Sequence, residues 1–341
     1  MIDANNDYSS VERVFASCTG QDLCRVEMDP LIRPVNESIS IVIASFNGHR
    51  TLGATLISLK NQRYRNFELI LVDDGSQPSL EKLVSSMNLP FQITVVRLSK
   101  NFGLSVARNV GIQCAEGSSI VFLDDDMIVP SVMTYGLALR QTHTSGCVFL
   151  GFREDVPEEV FFNPGDRQPR LDGDWRFRSA NEPDAWVFLA ADRTAPKSER
   201  NSFALVTESA NFKKLGNGRV IGFWDLPGMV CGHSICAKKS DVVAAGGFAE
   251  GVFHGWGVED LAFGAIMAAR GHFIVPTLEW VSFHLCHEGR KVSRSEEWKE
   301  MQRNFAHYLQ YIKEPVQSQH FPKRQIIHVR TDTVRILDVP I

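Results

Sequence analysis

The sequence lacks most of the features that commit a chain to a specialised class. Its seven cysteines, Cys18, Cys24, Cys114, Cys147, Cys231, Cys236 and Cys286, include no CxxC pair, and a chain of 341 residues can build a core without staples. A reduced compartment fits that set, and a zinc ribbon does not. The longest apolar runs, such as Ile39 to Ala44 and Ile120 to Leu123, fall far below the roughly 18 residues that would argue for a membrane span. Residues 1–30 have no positively charged start, no apolar centre and no small-residue cleavage site, so the expectation is a cytoplasmic chain. Positive charge is not in excess either. With 36 Lys and Arg against 40 Asp and Glu, the net charge of -4 excludes a global basic field that would draw in nucleic acid or anionic lipid. There is also no GxxxxGK[ST] loop and no GxGxxG after the first apolar run, which removes the usual kinase and dehydrogenase readings.

What is present is ordinary globular composition, 44% hydrophobic and 22% charged, in a length that allows two domains or one elaborated α/β domain. Residues 1–37 carry seven acidic against three basic side chains with no sustained period, and read as a polar arm. The fold proper begins at Ser38. Ser38 to Ala44 is a β-branched run closed by Ser45-Phe46-Asn47-Gly48, the pattern of a strand buried on both faces. Leu52, Leu56 and Leu59 recur with helical spacing, and Phe67 to Val72 is a second strand stopped by Asp73-Asp74-Gly75-Ser76. The alternation continues with a helix over 79–87, a strand over 92–98, a helix over 105–114 and a strand over 119–123. Such alternation predicts an α/β fold with a mostly parallel, doubly wound sheet, whose ligand crevice lies beyond the carboxyl ends of the strands. The polar residues Asn47, Asp73-Asp74 and Asp124 to Asp126 stand at those ends.

From Gly151 to about Gly228 prolines interrupt the text and no clean period survives, so long loops are expected. Order returns over 229–237, followed by helices near Lys239 and Val258, and Trp298, Met301, Phe305, Tyr308, Leu309 and Ile312 mark one face of an amphipathic helix. The segment after Pro322 alternates like an edge strand but also reads as a loose tail. The organisation is thus an arm at 1–37, a first half at 38–150, a second half at 151–313 and a tail at 314–341.

Three consecutive carboxylates, Asp124, Asp125 and Asp126, repel one another unless they are exposed or neutralised, and hard oxygen ligands of this kind suit Mg²⁺ or Mn²⁺. A solvated turn is the plainer alternative. The order of motifs favours the metal. Ile43-Ala44-Ser45-Phe46-Asn47, Leu71-Val72-Asp73-Asp74-Gly75-Ser76, Asn101-Phe102-Gly103-Leu104-Ser105-Val106-Ala107-Arg108-Asn109 and Phe122-Leu123-Asp124-Asp125-Asp126 together resemble family 2 glycosyltransferases of the GT-A fold. That resemblance implies a nucleotide-sugar donor site drawn from Ser45, Phe46, Asn47, Asp73, Asp74, Asn101, Gly103, Arg108, Asp124 and Asp125. It implies a metal flanked by Asp124 and Asp126.

A second likeness lies downstream. Gly246-Gly247-Phe248, followed by Gly255-Trp256-Gly257-Val258-Glu259-Asp260, resembles the GGF…GWGxED acceptor-side motif of galactosyltransferases and chondroitin-polymerase-type enzymes, with Val258 where that motif usually has glycine. By that resemblance Gly247, Trp256 and Gly257 touch the acceptor or sugar, and a histidine at the end of a following strand joins the metal, His284 or its near neighbour His287. A buried core residue is the alternative reading of Trp256. An inverting sugar transfer needs a carboxylate to take the acceptor proton, which Asp260 or Glu259 can supply from a helix N-terminus, where capping is the plain alternative. The other histidines, including His233, His254 and His307, form no defensible ligand spacing. The expectation is an inverting, Mn²⁺- or Mg²⁺-dependent transferase using a nucleotide sugar, most simply a UDP-sugar, on a glycan, lipid-linked, peptide or small-molecule acceptor. A nucleotidyltransferase and a catalytically silent sugar-nucleotide-binding protein are the alternatives.

Overall fold

The computed structural model describes residues 5–27, 35–157, 186–187, 216–219, 230, 232–255, 257–286, 294–313, 320–331 and 334–339. The βα alternation appears as expected: β1 (Ile39–Ser45), α2 (Leu52–Lys60), β2 (Phe67–Asp73), α3 (Glu81–Ser86), β3 (Gln92–Leu98), α4 (Leu104–Cys114) and β4 (Ser119–Leu123), preceded by α1 (Ser9–Thr19). β1, β2 and β4 are buried along their whole length, which is why they read as predominantly apolar, β-branched runs. The strands then sort their side chains by parity. Ile39, Ile41 and Ile43 face a layer that holds Leu52, Leu56 and Leu59 of α2, while Val42 and Ala44 face a layer that holds Ala107 and Val110 of α4. The sheet therefore has helices on both faces.

β5 (Met127–Ile128), α5 (Met133–His143), β6 (Cys147–Pro157), β7 (Trp186–Val187), β8 (Ser234–Lys238), α6 (Lys239–Ala244), α7 (Glu259–Ala269), β9 (Phe273–Cys286), α8 (Arg294–Tyr311), β10 (Ile327–Thr331) and β11 (Arg335–Val339) complete the described elements. The strand order is β10-β11-β3-β2-β1-β4-β8-β6-β9-β5, with β7 on β6. β1 is flanked by β2 on one side and β4 on the other, both parallel to it. The order therefore reverses between β1 and β4, and the crevice of a doubly wound sheet opens at the ends of those two strands, beside Ser45 and Asp124 to Asp126.

Three expectations change. The boundary placed at residue 150 falls inside β6, which continues the same sheet, so the two halves share one hydrogen-bonded ladder. A register shift between Leu150 and Phe152 marks the spot, and a Cβ on Gly151 would lie 2.5 Å from the Trp280 ring. Glycine lets the strand pass the indole. The arm is also no loose tail. Tyr8, Phe15, Leu23, Cys24 and Val26 are buried in the main core, because their apolar side chains cover α5 and the start of β9. At the other end, the edge-strand reading of the tail holds, with β11 parallel to β3 and β10 outside it. Finally, the apolar stripe of α8 is split: Tyr308 is buried against α7, whereas Trp298, Phe305 and Leu309 are exposed. The loops expected over 158–185, 188–215 and 220–229 lie outside the described residues.

The N-terminal segment is held by a buried cation. Arg140 of α5 donates from Nε to the Leu23 carbonyl at 2.6 Å and forms a two-armed pair with Glu279 of β9, whose Oε2 also accepts the Val26 amide at 3.2 Å. Removing one partner strands the other charge in the core. Glu279→Ala should lower the unfolding free energy by about 3 to 5 kcal/mol, read from the urea midpoint, and a loss under about 1 kcal/mol would show that the segment is anchored otherwise.

Candidate active site

The two carboxylates after β2 build a loop. Asp73 accepts the Ser76 amide at 2.9 Å and the Leu80 amide at 3.0 Å, and Asp74 accepts the Phe102 and Gly103 amides at 2.8 and 2.9 Å. Both are buried, and the pair that the resemblance sets in the donor site braces its own loop through these amides. Burial also raises the Asp74 carboxyl above its ordinary range, against those two hydrogen bonds. The consequence for the site is indirect: Asp74 fixes residues 102–103 at the start of α4. Ser45 is likewise buried, with its hydroxyl donating to Asp125. Asn47 has φ 59 and ties its loop to the next, through its amide to Ser76 Oγ at 2.8 Å and its Oδ1 to the Gln77 amide at 3.0 Å. Phe46, 50% exposed, Asn47 and Asn101 form an open rim.

Arg108, one turn into α4, lies at the bottom. It is 3% exposed, donates to Asp124 Oδ1 at 3.2 Å and Glu259 Oε1 at 2.9 Å, and its guanidinium carbon stands 5.0 Å from the centre of the Phe248 ring. Burial opposes its charge, but Glu259, Asp124 and Asp260 outweigh that and raise its pKa. The same helix carries Asn109, whose side chain exchanges hydrogen bonds at 2.8 Å with the amide and the carbonyl of Phe248. Gly247 makes room for it, since a Cβ there would meet Asn109 Oδ1 at 2.3 Å. Two segments far apart in sequence are thus locked together.

Asp126 and His284 converge from neighbouring strands. β5 pairs with β9 so that Met127 stands opposite His284, and Asp126 Oδ2 lies 3.1 Å from His284 Nε2. β9 runs on to Cys286, so His284 sits within the strand and not at its end. Burial raises the Asp124 carboxyl, Arg108 opposes the rise and Asp126 adds to it. His233, set aside in the sequence for want of spacing, is buried beside this pair with its Nδ1 2.9 Å from Ser234 Oγ. Burial and the charges of Arg153 and His284 hold its pKa well below the ordinary imidazole value. Arg153 of β6 also acts on Asp124. Neither residue had a local signal, because β8, β6 and β9 bring them together.

At the start of α7, Glu259 is buried and paired to Arg108, whereas Asp260 accepts the Gly232 amide through Oδ2 and the Leu261 amide through Oδ1, both at 2.8 Å. Burial, followed by the charge of Glu259, pushes the Asp260 carboxyl up to about 7. Two adjacent carboxylates therefore differ in kind, one held in an ion pair and one titrating near neutrality. Gly257 contributes its carbonyl to α8, by way of Asn304. Trp256 and His287 lie outside the described residues.

The comparisons with known proteins follow this geometry. Residues 40–191 match the family model described as Glycosyl transferase family 2. The chondroitin synthase of Pasteurella multocida (strain Pm70) is 29% identical over 254 residues, 71% of this chain and 24% of that protein, so the chain spans about a quarter of that relative's length. Among solved structures, GalNAc-T7 with UDP, GalNAc and Mn²⁺ superposes with a TM-score of 0.53 at 17% identity, covering 81% of this chain and 48% of that one. A mannosyltransferase from Pyrobaculum calidifontis in complex with GDP-Man and Mn²⁺ gives 0.51 at 16%, covering 90% and 71%. These likenesses show the GT-A fold.

The raised carboxyl has a thermodynamic signature. A folded-state pKa of about 7 against an ordinary 3.8 means that the native protein binds a proton the unfolded chain has already lost. That contribution to stability is present at low pH and is lost as pH rises toward 7. Asp260→Asn removes it, so the stability difference between variant and wild type should move in the variant's favour from about pH 4 to about pH 7 and then level off. A difference in melting temperature that stays flat over that range would contradict the assignment.

Proposed function

We propose that the chain, whose residues 40–191 match the glycosyl transferase family 2 model, moves a sugar from a nucleotide diphosphate sugar, of the UDP type, to an acceptor hydroxyl with inversion, Asp260 acting as the base. The observation that carries this reading is Asp260 itself, a carboxyl of pKa about 7 at the start of α7. A base is most effective when its pKa lies near the working pH. Its neighbour Glu259 is occupied by Arg108, which is tied in turn to Asp124 at the end of β4. The acceptor-side helix is thereby held beside the donor-side strand end. The likeness to a chondroitin synthase supports a glycan acceptor over a lipid-linked, peptide or small-molecule one.

Asp126 and His284 present a carboxylate oxygen and an imidazole nitrogen to one place, a donor set that suits Mn²⁺ better than the oxygen-preferring Mg²⁺, with Asp124 the further ligand that the DxD resemblance implies. A divalent cation held there would offset the negative charge of the departing diphosphate. The chain's own residues do the rest: Phe46 and Asn47 offer a rim for the nucleoside, Arg108 fixes Asp124, and Asp260 takes the acceptor proton. A nucleotidyltransferase is disfavoured because Ser45-Phe46-Asn47-Gly48 stands where its Gly-rich, basic loop would be. A silent binding protein is disfavoured by the tuned Asp260.

Asp260→Asn should fold and bind UDP with Mn²⁺ as wild type does, while kcat falls by about 10² to 10⁴. Wild-type kcat should rise with pH through about 7, since the base acts deprotonated. Retention of more than about a tenth of kcat would return Asp260 to helix capping. For the metal, Asp126→Ala and His284→Ala should weaken UDP binding when Mn²⁺ is present and match wild type once the ion is chelated. Equal UDP affinity with Mn²⁺ in all three proteins would sink the ligand assignment.

A further inference from the structure

We infer that Asn304, on α8, is a positioning residue for the base, because it holds the strained backbone from which α7 starts. The inference rests on the reading of Asp260 given above. Gly255, Gly257 and Val258 have φ of 81, 90 and 82. Glycine adopts that region freely, but a β-branched side chain is strained there and persists only where its surroundings over-determine it. Val258 is 5% exposed and is the residue immediately before α7, two positions from Asp260. Any relaxation of its φ turns the first turn of the helix.

The restraint comes from one face of α8. Asn304 is 2% exposed, accepts the His254 amide at 3.2 Å, and donates to the carbonyls of His254 and Gly257, each at 3.1 Å. Only a carboxamide can accept from an N–H and donate to two carbonyls at once. One turn earlier Glu300 closes on Gly255, where a Cβ would lie 2.5 Å from its carboxylate, and one turn later His307 Nδ1 lies 3.0 Å from the Val252 carbonyl. The backbone on both sides of the bend is thus fixed by a helix that itself contributes no group to the chemistry. Tyr308 of the same helix packs with Val258, Ala262 and Ala265, which binds α8 to α7 directly.

The test uses the full chain and a double-mutant cycle. Asn304→Ala should lower kcat by about 10²-fold, the scale of a small misplacement of a catalytic group, with UDP affinity in Mn²⁺ unchanged. Val258→Gly removes the strain that Asn304 restrains, so Asn304→Ala should cost far less in the Val258→Gly background than in wild type. Should Asn304→Ala fail to fold, Asn304→Asp carries the same comparison, because it keeps the acceptor for His254 and loses both donations. A kcat loss of equal size in the two backgrounds, or a parallel loss of UDP affinity, would overturn the positioning role. Asp260→Asn is measured alongside. If that variant stays active, the base assignment falls and this inference with it; if it is inactive while Asn304→Ala keeps wild-type kcat, the base stands and the positioning role is overturned.

Discussion

A single buried guanidinium joins what the sheet topology keeps apart. Arg108 leaves α4, meets Asp124 at the end of β4 and Glu259 at the start of α7, and lies over Phe248, which stacks on Phe263 at 4.7 Å. The carboxylates at 124, 126, 259 and 260 would repel one another at close quarters without a cation among them. A cation buried with only one partner would be worse placed still, since an uncompensated charge in the interior costs several kcal/mol. The arrangement is stable only when strand end, helix start and Arg108 are all in register. Packing and site are therefore the same construction.

That dependence explains why the sheet is extended at both ends. The crevice between β1 and β4 needs β4 to be flanked, and β8, β6 and β9 continue the ladder from it to bring His233, Arg153 and His284 within reach of Asp124 and Asp126. β9 in turn is held by the N-terminal segment. Asn6 bonds the Ile274 amide and carbonyl at 2.8 Å, Leu278 donates to the Cys24 carbonyl at 2.8 Å, and Glu279 pairs with Arg140. The strand that carries His284 is thereby anchored at its far end by residues from the other end of the chain.

Much of this is legible in the sequence. β1 to β4 stand out because they are mostly apolar and β-branched and stop at polar turns, and the donor-side cluster follows from where those turns fall. The arm was misread because Tyr8, Phe15, Leu23, Cys24 and Val26 are scattered over a polar segment with no period to reveal a common face. Asp73 and Asp74 were placed at the correct edge, yet residue type alone does not say whether a carboxylate faces a ligand or the amides of its own loop. The resemblance sets Arg108 in the donor site; its partner Glu259 is 151 residues away, and no local pattern links them. Asn304 had no signal at all, since one asparagine in a helix is informative only when the loop it holds is known.

Two adjacent carboxylates at one helix start pose a further question of roles, and the surroundings answer it. A helix N-terminus favours negative charge and would stabilise either. Glu259 pairs with Arg108, and its charge adds to burial in raising the Asp260 carboxyl. Asp260 accepts the amides of Gly232 and Leu261, which together with the Arg108 charge offset burial and the neighbouring carboxylate in part and leave the carboxyl near 7. Here Arg108 hydrogen-bonds Glu259 while Asp260 takes two backbone amides, and the left-handed residue Val258 stands immediately before both at the start of α7.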